Sequence, residues 1–545
     1  MTQSLSRPPL LNRSLLWGIC FVIFIGMAVV KAGIFEQDLV NVGGFYQLLR
    51  FLRASLHPEV SPEFLQLTLK ATLTTLAYAA CGTFLSILLG VVAGVITSQV
   101  WWLTVLPHWT LRQPIWLGIR GLLAFPRAIH EMIWGIFFVS IWGLDPLAAI
   151  MAIAIPYGAI VAKVFSEILD ETPRGALMAL LSSGVSPLMA FLYSIIPQAF
   201  SNLLSYTLYR FECSIRSATV LGLVGAGGLG YEILLSLQSL RYEQLWTFFY
   251  ALVLLSAAID ISSVILRRRI NLRVVLILVA LCCLGFLYVS PDLSKFWSPR
   301  TQKLLGDIAQ ASFPLDFKTV PLSQLWKLSL QTLIMSVLAS AGSGLVGIVL
   351  SFPAAHNFLL PGGLLNPSPK ASRLAALQGW SILVFTRIIL LFCRAIPAPI
   401  WALVVMFVMF PGVLPGAIAL GLHNLGILGR LMAEINENLE KPPLEALKAQ
   451  GTPGALLFLY GIFPMNLPRF LAYIFYRWEV CMRETVIVGL VGAGGLGVLL
   501  TEQLSSFDYR SVGMTLVCFV FLTFFVDWVS AAARESITPH KSLNY

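Results

Sequence analysis

Residues 210 to 230 read RFECSIRSATVLGLVGAGGLG and residues 477 to 497 read RWEVCMRETVIVGLVGAGGLG, identical at 12 of 21 positions with a constant offset of 267. The same offset pairs Arg127, Ala128, Ile129 and Trp134 with Arg394, Ala395, Ile396 and Trp401, and Glu167, Gly184, Tyr193 and Pro197 with Glu434, Gly451, Tyr460 and Pro464. A repeat of this length is far longer than a solenoid unit and is the size of a domain. The expectation is two related domains, 1–270 and 271–545.

The medium follows from composition. With 58% apolar and only 11% charged residues, and a mean hydropathy of +0.83, the chain has too few polar side chains to cover a soluble surface of its size. The eight cysteines lie mostly in apolar runs without metal-ligand spacing, so neither a disulfide framework nor a metal site is indicated. The net charge of +10 has no soluble basic domain to carry it, which argues against nucleic acid as a partner and for lysines and arginines beside a lipid bilayer.

Because a crossing helix needs about 20 apolar residues, spans are expected near 15–34, 67–97, 116–142, 146–165, 187–209 and 245–266. The second half repeats the set near 272–290, 326–353, 379–410, 412–430, 455–476 and 511–530. The fold class is therefore an all-α polytopic membrane protein of about 12 transmembrane helices in two parallel six-helix repeats. Arg7 and Arg13 precede the first span, and Arg267, Arg268, Arg269 and Arg273 separate the sixth from the seventh. The positive-inside rule places both clusters, and both termini, in the cytoplasm of a multi-pass protein. The segment with Glu36, Asp38, Arg50 and Arg53 is then an amphipathic outer connection.

After the fourth span of each copy the polarity rises, in SEILDETPRGALMALLSSGVSP and in AEINENLEKPPLEALKAQGTPG. Proline, then Ala and Leu, then a glycine before the next span describe a short cytoplasmic helix, though an ordinary interhelical loop has the same spacing. GLVGAGGLG contains the GxGxxG of a dinucleotide site, but no βαβ unit surrounds it. Gly225, Gly227 and Gly228, with Gly492, Gly494 and Gly495, fit two other readings. One is a gate or an anion cradle of backbone N–H groups; the other is a tight bend with close helix packing. Glu212 and Arg216, like Glu479 and Arg483, are spaced to pair on one helical face. Arg120 and Arg127, matched by Arg387 and Arg394, either anchor the inner end of a span or guide an anion.

The run Glu445-Ala446-Leu447-x3-Gly451 with Pro464 beyond it resembles the EAA loop of ABC-importer permeases, the helix that docks on the ATP-binding subunit. The first copy keeps Ala179, Leu180, Gly184 and Pro197 but has Met178 at the acidic position. Arg394-Ala395-Ile396-Pro397, Arg127-Ala128-Ile129-His130 and the two glycine blocks resemble the phosphonate/phosphite importer permeases, the PhnE family. Each half resembles one whole permease with a type I importer fold. The resemblance implies coupling residues at Ala179, Gly184, Glu445, Ala446 and Gly451. It suggests a pathway or gate at Arg127, Arg216, Arg394, Arg483 and the six glycines.

No GxxxxGK[ST] motif occurs, so this chain is expected to be a transport subunit rather than an enzyme. It needs no cofactor of its own, and ATP and Mg are expected on partner subunits. The implied partners are two ATP-binding cassette subunits and an external substrate-binding protein, at the bacterial inner membrane. Cargo would be a phosphonate, phosphite or related oxyanion. Two alternatives stay open: a permease for methionine or a quaternary amine, and an ion-coupled secondary transporter of two parallel halves, for which Asp260 and Asp527 are candidate relays.

Overall fold

The computed structural model describes residues 13–33, 41–106, 110–268, 272–312, 320–363 and 373–537. Arg7, Glu36, Asp38 and Arg269 lie outside the described residues. The first copy runs through α1 (Arg13–Lys31), α2 (Gly44–Ala54), α3 (Pro62–Thr97), α4 (Gln99–Val105), α5 (Arg112–Ala128), α6 (Glu131–Trp142), α7 (Pro146–Glu171), α8 (Gly175–Ser182), α9 (Pro187–Leu221), α10 (Gly228–Gln238) and α11 (Tyr242–Arg268). The second continues with α12 (Leu272–Val289), α13 (Pro299–Ser312), α14 (Leu322–Ala354), α15 (His356–Leu359), α16 (Arg373–Ala395), α17 (Ala398–Val405), α18 (Val413–Glu437) and α19 (Lys441–Ala449). It ends with α20 (Gly454–Leu456), α21 (Phe463–Leu490), α22 (Leu496–Ser505) and α23 (Tyr509–Ile537).

Sequence chemistry sets the starts of the long helices. Pro62, Pro146 and Pro187 open α3, α7 and α9, where the missing N–H would have had no helical partner. Asp145 caps α7 by accepting from the Leu147 amide at 2.8 Å. Among the described residues nine helices are long and apolar enough to cross a membrane. The bent pair α5 and α6 adds a tenth, and α1 and α12 are shorter apolar helices.

Two expected spans are not single rods. The 116–142 run breaks at Ile129 and His130, where the chain turns extended and the axes of α5 and α6 diverge by 83°. His130 restarts the helix, its Nδ1 accepting from the Met132 amide at 3.2 Å. The 379–410 run stops at Ala395 because Pro397 bars the preceding residue from helical geometry, and the eight-residue α17 follows. Hydropathy stays high across both breaks, so composition alone joins them.

The packed units are not the sequence copies. One unit comprises Met1–Leu48, Phe317–Ser506 and Ser511–Tyr545; the other comprises Leu49–Asp316 and Phe507–Arg510. The first helix of each copy thus packs with the other copy's body. In one unit Phe21 of α1 lies with its ring centre 5.0 Å from that of Phe475. In the other, α12 lies along α3, with Gly285 against Cys81 and Val274 buried beside Leu204 and Leu208. The central pair there is α3 with α7, brought close by small residues: a Cβ at Gly82 would stand 2.8 Å from Ile153, and one at Gly94 2.8 Å from Phe165. Amphipathic α2 buries Phe51 against Tyr242, Trp246 and Phe249, and α13 hands Thr301 to the Trp142 indole at 3.2 Å.

Candidate functional site

The two polar segments form helices of matching design. In α8 the buried residue is Leu177, and in α19 it is Leu444, at the same repeat position. Leu177 enters a cluster with Leu169, Phe191 and Ile195; Leu444 enters one with Phe358, Leu390 and Ile462. Each helix is anchored to its unit by that leucine while Met178 and Ala179, or Glu445 and Ala446, stay exposed. Each ends on a left-handed glycine, Gly184 at φ +82° and Gly451 at φ +78°. The following amides close back on the last turn, Val185 to Leu180 at 3.1 Å and Thr452 to Leu447 at 3.3 Å. Each is thus a short helix held on one side by its leucine and exposed on the other.

Arg120 and Arg127 of α5 line a cavity of about 250 Å³ with Thr97 of α3 and Lys163 and Glu167 of α7. Arg120 lies 4.4 Å over the Trp116 ring and donates to Ser166 Oγ at 3.4 Å. The second copy handles the equivalent charge differently. Arg387 donates to the Ala354 carbonyl at 2.9 Å and pairs with Glu437 at 2.5 Å, which also holds His356. Arg394 sits half-buried at the end of α16.

Upstream of the glycines, Arg216 Nη1 lies 3.9 Å from Glu212 and its Nη2 3.3 Å from Cys213 Sγ. Glu479 meets Arg534 of the last helix at 2.6 Å, so its charge is shared with α23. Arg483 is half-buried on α21.

The glycine blocks are hairpins between helices. Gly225, Gly227 and Gly228 have φ of +95°, +87° and +74°, and Gly492, Gly494 and Gly495 repeat this with +91°, +87° and +77°. Three left-handed positions in four residues demand glycine. Thr75 and Thr332 take the amides that follow, Leu229 and Leu496, each at 2.9 Å, and Tyr78 donates to the Ala226 carbonyl at 2.7 Å. Gly230 and Gly497 let the returning helix touch the backbone it left: a Cβ at Gly497 would stand 2.5 Å from the Val486 carbonyl oxygen. Hairpin amides engaged by threonines and backbone in contact with backbone favour the bend reading over an open anion cradle. Among the described residues no strand flanks either block, which removes the dinucleotide reading. Gly230→Ala is expected to lower stability by about 1–3 kcal/mol through overpacking against the Thr219 carbonyl, read as a lower melting temperature of the purified chain. An unchanged melting point would contradict the close crossing.

Sequence reading missed a pair of buried arginines at the head of the repeated block. Arg210 lies over the Tyr157 ring, 3.7 Å from its centre, and is 8% exposed. Tyr157 shares a 2.5 Å hydrogen bond with Ser217, which donates to Glu131 at 2.5 Å. At the equivalent place Arg477 donates to Asn424 through Nε at 2.7 Å and meets Glu484 at 3.3 Å. Asn424 and Glu484 stand where the first copy has Tyr157 and Ser217, and Ala398 stands where it has Glu131. The carboxylate has thus changed helix between copies. The signal was available, since an arginine within an apolar run, repeated at the offset, is a functional candidate by default.

The profile of the family described as "Binding-protein-dependent transport system inner membrane component" matches residues 86–276 and 371–537. Over 437 residues, 77% of each chain, the sequence is 24% identical to the phosphate-import permease protein PhnE of Mycolicibacterium smegmatis. It is 30% identical over 206 residues to the phosphite transport system permease protein PtxC of Stutzerimonas stutzeri, covering 38% of this chain and 68% of that protein. Over 118 residues it is 33% identical to a putative cryptic phosphonate transport system permease protein, PhnE2, of Escherichia coli, covering 22% of this chain and 97% of that one. A solved structure of the MetNI methionine ABC transporter in an inward-facing conformation aligns over 39% of this chain and all of its own, with a TM-score of 0.35 and 21% identity.

Proposed function

From the premise that the chain belongs to the family of binding-protein-dependent transport system inner membrane components, we propose that it supplies both permease units of an ATP-driven importer for a tetrahedral phosphorus oxyanion. The observation that carries this is the pair of docking helices, α8 and α19, built alike on Leu177 and Leu444 within one chain. One ATP-binding subunit meets each helix, and ATP and Mg are handled there. An external binding protein delivers the cargo. Relatives named for phosphate, phosphite and phosphonate support the cargo class.

In this reading Ala179, Gly184, Glu445, Ala446 and Gly451 transmit motion from the motor. Arg127, Arg216, Arg394 and Arg483 supply positive potential along the anion's route, as charges in apolar segments do. Gly225, Gly227, Gly228, Gly492, Gly494 and Gly495 shape the hairpins that border it. The termini face the cytoplasm of the cell whose inner membrane holds the chain.

The topology has a direct check. Cysteines introduced at Gly175 and Pro443 should react with an impermeant maleimide only after the membrane is opened, and cysteines at Gln302 or Lys303 should react in intact cells. Labelling of position 443 from outside alone would overturn the parallel arrangement.

A further inference from the structure

Two copies of one ancestral unit treat the same arginine in opposite ways, and the difference defines a site. In the second copy Arg387 is neutralised by Glu437 at 2.5 Å, and Arg430 and Glu434 close a 2.7 Å ion pair. In the first copy the residue equivalent to Glu437 is Asp170, which is committed elsewhere: its Oδ1 accepts from the Val100 amide at 2.9 Å and so fastens α4. Arg120 is held instead by two neutral groups, the Trp116 ring and the Ser166 hydroxyl. Their counterparts in the second copy, Leu383 and Ala433, offer neither interaction. Trp116 is itself fixed by donating from Nε1 to the Thr97 carbonyl at 2.8 Å.

Neutral partners orient a guanidinium without cancelling its charge. The cavity beside it adds Arg127 and Lys163 and only one acid, Glu167, which stands 3.8 Å from Lys163. Its lining therefore carries three cations and one anion. A concave site with an oriented guanidinium, a second arginine and a flexible ammonium matches the geometry of a phosphate-type oxyanion.

We infer that this cavity between α3, α5 and α7 binds a phosphate-type oxyanion, either free or as the headgroup of an anionic phospholipid, and that the second copy fills the equivalent position with its own carboxylate. Lys163 and Glu167 lie in the last turns of α7, which leads through three residues into α8. Occupancy therefore bears on one docking helix and not on its twin. The placement of the site at the inner face rests on the positive-inside orientation; the binding itself does not.

The test uses the full chain in nanodiscs, with and without phosphatidylglycerol in a phosphatidylcholine background. Inorganic phosphate and methylphosphonate are titrated by isothermal calorimetry, and retained lipid is read by native mass spectrometry. Arg120→Gln is expected to weaken the bound species by about tenfold or more, the loss of one charge-assisted hydrogen bond. Lys163→Gln, half exposed and outside the packed core, should weaken it in the same direction without threatening the fold. Arg430→Gln, its equivalent in the second copy, should leave binding unchanged. Binding of phosphate in neutral discs identifies the free ion as the ligand, and selective retention of phosphatidylglycerol identifies the headgroup. The inference is overturned if neither probe binds the wild type, or if Lys163→Gln and Arg430→Gln have equal effects. Because the readout is binding by the purified chain, it is independent of whether transport of any cargo is observed.

Discussion

Arg477→Met is expected to destabilise the chain by about 3–5 kcal/mol, the cost of leaving one member of a buried ion pair without its partner. Arg477 is 7% exposed and bridges Asn424 of α18 to Glu484, about two turns farther along α21. Removing it takes the guanidinium away from the largely buried Glu484 carboxylate, which keeps the longer hydrogen bond from Asn424 Nδ2 at 3.4 Å. The double variant Arg477→Met with Glu484→Met should recover most of that loss, because both desolvation penalties vanish together. Thermal unfolding of the single and double variants in one detergent checks this. A single variant that melts with the wild type would show that the pair contributes nothing, and an unrescued double variant would show that Asn424 alone requires the arginine. The first copy gives a parallel expectation of smaller size, since Glu131 reaches Arg210 only through Ser217 and Tyr157.

The second large effect is at α19, in its proposed coupling role. Gly451→Asp is expected to leave membrane insertion intact and to reduce substrate-stimulated ATP hydrolysis of the assembled importer by about tenfold or more, equivalent to ~1.4 kcal/mol of coupling. Nothing lies within 4 Å of a Cβ at that position, so the side chain has room, and the local backbone strain of a non-glycine residue at φ +78°, smaller for aspartate than for most side chains, falls on an exposed turn outside the packed bundle. Bulk and charge are instead added where a partner would lie. Glu445→Ala should have a graded effect of about 1–3 kcal/mol if it removes a charged hydrogen bond to the motor. Met178→Glu, which gives α8 the acid that α19 carries, should be tolerated. Normal stimulated hydrolysis by Gly451→Asp, with the ATP-binding subunits bound, would remove α19 from the coupling role.

Much of this architecture is written in the repeat. The offset of 267 pairs the two glycine blocks and the α5 and α16 arginines, and the rise in polarity after the fourth span, with its proline and its glycine, marks α8 and α19; the leucine that anchors each of those helices shows only in the structure. Hydropathy was less informative where the physics is steric. The apolar runs continue through Ile129 and Ile396, so the breaks there were joined into spans, although Pro126 and Pro397 marked the neighbourhood. The exchange of α1 and α12 between packed units was illegible, since an apolar helix does not encode which apolar neighbour it meets. The buried networks were hidden for a different reason. Tyr157 and Asn424 differ, as do Ser217 and Glu484, and only side-chain geometry shows that each set surrounds an arginine. The same holds for Arg120 and Arg387, identical in sequence and opposite in surroundings.

The central claim is that one chain provides the whole membrane path of an ATP-driven phosphorus-oxyanion importer. It is tested most directly by uptake of labelled phosphate, phosphite and methylphosphonate into cells expressing the ATP-binding subunits and the binding protein, with and without this chain. The account predicts uptake of at least one of the three that requires this chain, saturates with cargo, survives collapse of the proton gradient and stops when ATP is depleted. Uptake that persists without ATP and vanishes with the ion gradient, or no uptake of any of the three while methionine or a quaternary amine is taken up, would contradict it.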